Sequence, residues 1–440
     1  MLETRDPAEF VAWLRAVAPY IHAFRGKTFV VACPGELIAA GKLDRLVHDL
    51  SMLQAMGMRI VVVHGSRPQV QEQMRLRGAA ERFHHGIRVT DPVSLECAKE
   101  AAGELRLDIE AAFSQGLPNT PMAHSSVRVV SGNFITARPI GIVDGVDFEQ
   151  TGLVRKIDVR TIRLALDSGA IVLLSPLGFS PTGEAFNLTM EDVAASVAIA
   201  LDADKLVFVA ETPGILDDAT GRVRTEIPEA EAKRLLESGD LPLDAAFYLR
   251  YALRACEGGV ARAHIVPFAL DGSVLLELFL HDGIGTMVVE DSLEALREAT
   301  LDDVGGILAV IAPLEADGTL VKRDRPQIER DIERFSVIEH DGVIFGCAAL
   351  HPYPEARMGE MASLAVDTST QGQGDGERLL TRIEQRARVM GLKRLFVLTT
   401  RTVHWFLKRG FVVATLEDLP AERQRTYDRA RRSQVLIKEL

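Results

Sequence analysis

The chain has 440 residues, 47% of them apolar and 25% charged, with a formal net charge of −12. That length calls for two or three domains of ordinary soluble composition, and the acidic balance argues against a nucleic-acid surface. The four cysteines, Cys33, Cys97, Cys256 and Cys347, are far apart and form no CxxC pair. They are expected as reduced thiols in a cytoplasmic protein, and with no His/Cys cluster at zinc spacing no metal site is expected. The first residues are charged and lack the apolar core of a signal peptide, and no uncharged apolar run reaches the roughly 18 residues of a membrane helix.

Phe10, Val11, Leu14, Val17, Ala18 and Ile21 recur at helical spacing, so residues 10–24 are expected to form an amphipathic helix. Residues 28–32 form a β-rich run, broken by Pro34-Gly35, and helical periodicity resumes over 43–56. A second strand over 59–63 leads into His64-Gly65-Ser66. The alternation continues with a strand over 170–174, a helix over 192–201, and strands over 206–210 and 261–267. Continuous apolar strands separated by helices predict a mainly parallel sheet covered on both faces, which binds ligands beyond the carboxyl ends of its strands.

The rhythm changes near residue 300. A helix over 304–316, an antiparallel hairpin of 335–339 with 343–351 turning at Asp341-Gly342, and a strand ending at Val366 are predicted. Gln371-Gly372-Gln373-Gly374-Asp375-Gly376 follows, then a helix over 377–390, a strand over 395–399 and a short helix ending near Gly410. This is a small α+β unit. A strand, a glycine-rich turn and a helix start aim several backbone N–H groups at one point and add the positive end of a helix dipole. Such an arrangement suits a pyrophosphate.

The Gln-x-x-Gly-x-Gly spacing, with His404-Trp405-Phe406-Leu407-Lys408-Arg409-Gly410-Phe411 behind it, resembles the acyl-coenzyme A loop and following signature of the GNAT acetyltransferases. The resemblance covers residues 299–440. It implies acetyl-CoA as co-substrate, held by Leu364, Ala365, Val366, Gln371, Gly372, Gly374, Gly376 and Glu377. It implies a strand that splays from its neighbour so that free N–H groups meet the pantetheine and the thioester carbonyl. Glu360, opening that strand, is the expected base, acting through water; its other reading is a solvent-facing strand residue. A carboxylate near an apolar acyl pocket can have its pKa raised. The family's tyrosine acid has no counterpart between Leu395 and Phe411, so Thr399, Thr400 or His404 serves, or the thiolate leaves unprotonated; Thr399 is preferred. Lys322, Arg323, Arg401, Arg432 and Ser433 are expected to hold a dicarboxylic acceptor, since arginine grips carboxylates bidentately. The bland alternative is a basic solvated face.

Residues from about 10 to 289 resemble the amino acid kinase family, especially acetylglutamate kinase, and residues 1–288 are expected as that domain. The resemblance rests on Ile60-Val61-Val62-Val63-His64-Gly65, Ser131-Gly132-Asn133-Phe134, Phe186-Asn187-Leu188-Thr189, Asp204-Lys205-Leu206-Val207-Phe208 and Thr212-Pro213-Gly214-Ile215-Leu216. Its implied fold is an αβα sandwich. Ala32 stands where the family has lysine and Glu191 where it has aspartate, so phosphoryl transfer is not expected. Tyr20, Phe24, Lys27, His264, Glu277, Gly283 and Gly285 match the arginine site of arginine-inhibited relatives. Residues 289–298 are expected as a linker. The two halves together resemble the bacterial N-acetylglutamate synthases of the arginine-sensitive type. That likeness implies acetylation of L-glutamate as the first step of arginine biosynthesis, feedback inhibition by L-arginine, and a homo-hexamer joined through the N-terminal helix. The rival readings are a bifunctional synthase–kinase and a non-catalytic arginine sensor.

Overall fold

The computed structural model describes residues 7–115, 127–217, 220–280, 283–291, 294–367 and 374–440. Contacts divide the chain into two compact units, residues 1–292 and 293–440.

The first unit is built on an eight-stranded sheet. Its order is Glu226–Pro228, Thr286–Val289, Arg262–Pro267, Lys205–Ala210, Thr28–Cys33, Arg59–His64, Ile171–Leu174 and Val129–Ser131. The ladders are parallel except one: Arg262–Pro267 and Thr286–Val289 run antiparallel. Strand residues alternate between two cores, as the period of two requires. Val30, Ala32, Val61 and Val63 face the helices Val159–Asp167, Met190–Leu201 and Leu243–Glu257. Phe29, Val31, Ile60 and Val62 face the helices Leu43–Ala55, Pro92–Ser114 and Ser273–Phe279. A four-stranded sheet, Ala185–Asn187, Leu177–Phe179, Ile135–Pro139 and Gly152–Ile157, adds to this unit.

The first helix spans Pro7–Phe24, starting earlier than its apolar spacing suggests. Its stripe divides along its length: Val17 is buried and Tyr20, Ile21 and Phe24 pack partly buried against the core, while Phe10, Val11, Trp13 and Leu14 are exposed.

The second unit carries a seven-stranded sheet in the order Glu294–Glu298, Phe335–His340, Val343–Tyr353, Met358–Val366, Arg394–Thr399, Gln434–Glu439 and Val412–Ala414. Residues 294–298, inside the expected linker, thus pair with Phe335–His340 as an edge strand. The helix Asp375–Val389 crosses between the parallel strands Met358–Val366 and Arg394–Thr399. It buries Leu379, Leu380, Ile383 and Ala387, one face at helical spacing, against that sheet.

Candidate active site

The central feature of the second unit is a parting of two strands. Met358–Val366 and Arg394–Thr399 pair at Met358↔Arg394, Gly359↔Leu395 and Glu360↔Phe396, and among the described residues their register stops there. On its other side Met358–Val366 stays paired with Val343–Tyr353, with a register shift between Cys347 and Ala349. Ser363 absorbs the extra residue at φ 52°, as a bulge does. A cavity of about 670 Å³ opens between the parted strands. Leu364, Ala365 and Val366 line one wall, Thr399, Thr402 and Trp405 another, and Gly374, Gly376 and Glu377 the helix end.

Gly374 caps the helix Asp375–Val389 at φ 99°, a left-handed value that L side chains resist. The helix therefore presents its first N–H groups and its positive dipole end to the cavity. Gly376 is constrained differently: a Cβ there would stand 3.2 Å from Trp405 Cζ2. Gln371 and Gly372, also expected to hold the coenzyme, lie outside the described residues.

 Trp405 is held in turn by Arg409, whose guanidinium lies 3.9 Å over the indole ring. Arg409 also donates to Glu377 Oε2 (3.2 Å) and to the Trp405 carbonyl (3.1 Å). Its Nε is buried without a hydrogen-bond partner. Trp405 and Arg409 were not singled out from the sequence as cavity residues, although both fall within the stretch that follows the fifth strand.

Glu360 occupies the last paired position before the strands part, and it is buried. Its carboxylate is not a free group facing an apolar pocket. Arg423 grips it bidentately, Nε to Oε2 at 2.7 Å and Nη2 to Oε1 at 3.0 Å. The Tyr353 hydroxyl donates to Oε2 at 3.3 Å. Burial first, and the Glu360 charge next, push that hydroxyl up to about 12. Thr399 is buried, and its Oγ1 accepts from the Thr402 backbone N–H (3.1 Å) and lies 2.8 Å from Thr402 Oγ1. It lines the cavity, unlike Glu360.

The expected acceptor residues are not gathered equally. Arg401 donates to Asp317 Oδ2 (2.9 Å) and to the Asp317 carbonyl (2.8 Å), so it fastens the loop after the helix Val304–Ala316. Arg431 does likewise at the Thr319 and Gly318 carbonyls. Lys322 and Arg432 are exposed, and Arg432 has φ 51°. Arg323 is half-buried, its N–H donating to Glu315 Oε1 at 2.8 Å. The Ser433 carbonyl accepts from the Tyr427 hydroxyl at 2.6 Å.

In the first unit, Phe24, His264, Glu277, Gly283 and Gly285 do converge. His264 Nδ1 is 2.7 Å from Glu277 Oε1, and the N–H groups of Ile284 and Gly285 donate to Oε2 at 2.7 and 2.9 Å. Gly283 leaves room for that carboxylate, since a Cβ would stand 2.6 Å from Oε2. Phe24 packs on Phe29 and Phe279, and Tyr20 lies beside it at 6.0 Å between ring centroids. Lys27 is drawn away to Asp204 at 2.8 Å. The ammonium of the cluster is that of Lys205, 3.3 Å from His264 Nε2 and 5.1 Å over the Phe24 ring. Burial first, and Lys205 next, lower the His264 pKa. Burial opposes it, yet His264 and the two N–H groups hold the Glu277 carboxyl below its ordinary value. A neutral His264 therefore donates from Nδ1 to a charged Glu277 and accepts at Nε2 from Lys205.

A cavity at the carboxyl ends of the first unit's strands is lined by Pro34, Gly35, Gly65, Arg67, Arg88 and Glu191 among others. Ala32 is fully buried in the strand Thr28–Cys33, where the family's lysine would stand.

A thioester-sized cleft between parted strands, with a glycine-capped helix aimed into it, defines an acyltransferase of the GNAT class joined to an amino-acid-kinase-type unit. The matches to known proteins agree with both halves. Residues 27–267 match the amino acid kinase family and residues 311–411 the acetyltransferase (GNAT) family. An amino-acid acetyltransferase of Ralstonia nicotianae is 64% identical over 99% of this chain and 97% of its own. One from Ectopseudomonas mendocina is 49% identical over 98% of this chain and 100% of its own. A crystal structure of N-acetylglutamate synthase from Neisseria gonorrhoeae, complexed with coenzyme A and L-arginine, is 40% identical, covering 98% of this chain and 99% of that one with a TM-score of 0.86. A second, complexed with coenzyme A and N-acetyl-glutamate, covers the same shares at 41% identity with a TM-score of 0.62. The chain belongs to the amino-acid acetyltransferase family.

Proposed function

We infer that this chain transfers the acetyl group of acetyl-CoA to the amine of L-glutamate, as the first step of arginine biosynthesis, and that L-arginine inhibits it. The observation that carries the catalytic half is the parting of the strands after Glu360, with the Gly374-capped helix at one end of the opening and Thr399 at the other. Helix N–H groups hold the pyrophosphate. N–H groups of the strand residues 362–366 meet pantetheine and polarise the thioester carbonyl as the amine attacks. The related synthase structures hold coenzyme A, and one holds N-acetyl-glutamate, which supports the acceptor assignment.

Glu360 is the base, reached through water, and Arg423 decides when it can act. A carboxylate with both oxygens engaged by guanidinium N–H groups has less lone-pair capacity left for the water that would carry the proton. The acceptor brings carboxylates of its own, and one of them competes for Arg423 and loosens its grip on Glu360. Arg323 and Arg432 complete the acceptor's surroundings, while Arg401 acts by fixing the loop at Asp317. The departing thiolate takes a proton from Thr399 or leaves into solvent.

The first unit, residues 1–292, is the arginine-binding half. The Lys205–His264–Glu277 chain supplies a buried carboxylate for the guanidinium, and Phe24 supplies an apolar wall. The complex of a relative with L-arginine supports this reading. The exposed Phe10, Val11, Trp13 and Leu14 suit contact between copies, in keeping with a homo-hexamer. Four buried free thiols suit a reducing, cytoplasmic setting. Among the described residues no helix is long and apolar enough to cross a membrane.

The test is thiol release from acetyl-CoA across a panel of amino acids, with and without arginine. L-Glutamate is expected to give the largest rate, and arginine to suppress it. A faster acceptor would overturn the glutamate assignment, and an unchanged rate with arginine would overturn the inhibition.

A further inference from the structure

We propose that the first unit carries a divalent-metal site made by His84, His85 and Asp144. Two short hairpins bring these residues together from opposite sides of a long sequence gap. One pairs Phe83–His84 with Ile87–Arg88, and the other pairs Ile142–Val143 with Val146–Asp147. Each closes through two residues at positive φ, His85 (49°) with Gly86 (77°) and Asp144 (51°) with Gly145 (78°). Those are the signs a two-residue type I′ turn requires. The first turn sets His85 beside His84, with ring centroids 4.1 Å apart and planes at 63°. The second delivers a carboxylate to both rings: Asp144 Oδ2 is 3.1 Å from His85 Nε2 and 3.6 Å from His84 Nε2.

The three side chains offer ligand atoms that all lie within 4.8 Å of one another. Around a tetrahedral zinc ion with bonds of about 2.0–2.1 Å, neighbouring ligand atoms stand roughly 3.3 Å apart. The two Asp144–imidazole distances, 3.1 and 3.6 Å, bracket that figure. His84 Nε2 is shut off from solvent and has no hydrogen-bond partner among the described residues. The edge of Phe148, 5.9 Å from the His84 ring, braces that imidazole. His85 and Asp144 are exposed, so an ion can enter and keep water in its remaining positions. Two imidazoles and one carboxylate favour zinc, cobalt, nickel or copper over calcium or magnesium, which prefer all-oxygen shells.

The consequence is mechanical. Phe83, Gly86, Ile87 and Arg88 of the first hairpin line the cavity at the carboxyl ends of the sheet. An ion shared with Asp144 ties that wall to the second hairpin. Sequence spacing alone hides such a site, because one of its three ligands, Asp144, comes from a turn far along the chain.

The experiment is calorimetric titration of Zn²⁺ into tag-free, chelator-stripped full-length protein, with thermal unfolding in parallel. One saturable equivalent and a higher melting temperature are expected, because an ion that binds only the folded state stabilises it. His85→Asn keeps a residue that tolerates positive φ while removing the imidazole. It and Asp144→Asn are each expected to weaken Zn²⁺ binding at least about tenfold and to leave metal-free melting unchanged. Absence of a saturable equivalent, or an affinity that neither substitution alters, would overturn the site and leave the three groups as an ordinary His–Asp surface pair.

Discussion

Gly374 offers a test of the pyrophosphate loop in which backbone strain is separated from crowding. Its φ is 99°, yet a Cβ built there meets no heavy atom within 4 Å. Any cost of Gly374→Ala is therefore conformational. Holding an L residue in a left-handed conformation costs roughly 1–2 kcal/mol. If the loop relaxes to escape that strain, the N–H groups at the helix start lose their common aim. The same free energy then appears as a loss of coenzyme A affinity of about 5- to 30-fold. Asn tolerates positive φ better than Ala, and Val tolerates it least. The expected order of affinity is Gly, Asn, Ala, Val, which follows backbone preference and not side-chain volume. Calorimetric binding of coenzyme A to the four proteins, with circular dichroism as the check on folding, measures it. Equal affinities across the series would refute the loop's role, and an order that tracks volume would refute the strain argument.

Gly376 gives the complementary result: Gly376→Ala pushes on Trp405, and coenzyme A affinity should fall together with the native fluorescence signature of that indole. Glu360→Gln should lower kcat far more than it weakens coenzyme A binding, and a variant with unchanged kcat would clear Glu360 of the base role. Glu277→Gln should raise the arginine concentration needed for inhibition while activity without arginine is retained; the inhibition curve of the variant decides it. Glu277→Ala is the poorer variant, because it strands His264 and two buried N–H groups at a cost of roughly 1–3 kcal/mol for each unsatisfied group. His64 tests the pH dependence of stability. Burial holds its pKa down to about 4, with Nδ1–H donating to the Gly65 carbonyl and Nε2 accepting from Ser175. The unfolded imidazole titrates at about 6.5, so below that pH the unfolded chain binds a proton that the folded chain refuses, and stability falls as pH drops from 6.5 toward 4. The loss amounts to about 3 kcal/mol by pH 4. In His64→Gln this part of the slope should vanish, as urea unfolding at pH 7 and pH 5 would show.

Much of the architecture was legible because burial on both faces leaves its mark on composition. Strands such as Arg59–His64 and Lys205–Ala210 are nearly unbroken apolar runs, and only a central parallel strand needs that. The four-stranded sheet was missed for the opposite reason. Its strands Leu177–Phe179 and Ala185–Asn187 are three residues long and mix exposed with buried positions, so no periodicity can build up. The first helix was found by its apolar spacing, but that spacing does not say what the stripe meets. Residues 294–298 fall in the expected linker because they follow the Gly283-Ile284-Gly285-Thr286 turn, yet they form an edge strand, which with one open side accepts the charges of Glu294–Glu298.

The site divides along the same line. The glycine loop is local chemistry, a turn leading into a helix, and its meaning survives in a dozen residues. Charge pairing is not local. Arg423 reaches Glu360 across 63 positions, and nothing near either residue announces the other. Arg401 likewise looks available in sequence until Asp317 claims it. The lysine of the arginine cluster shows the same effect in reverse. Lys27 stands close to Phe24 in the chain, but Asp204 draws it off while Lys205, one residue further along, turns inward to His264. Each of these pairings decides whether a charge is free for a ligand, and each is set by strand order. Glu360 and Arg423 put this to the sharpest use. If the acceptor's carboxylate is what frees the base, Arg423→Lys, which cannot reproduce the bidentate hold, should raise the KM for glutamate and leave coenzyme A affinity unchanged. A KM for glutamate unmoved by Arg423→Lys would show that the acceptor does not meet that guanidinium, and the coupling between acceptor binding and base release would fail.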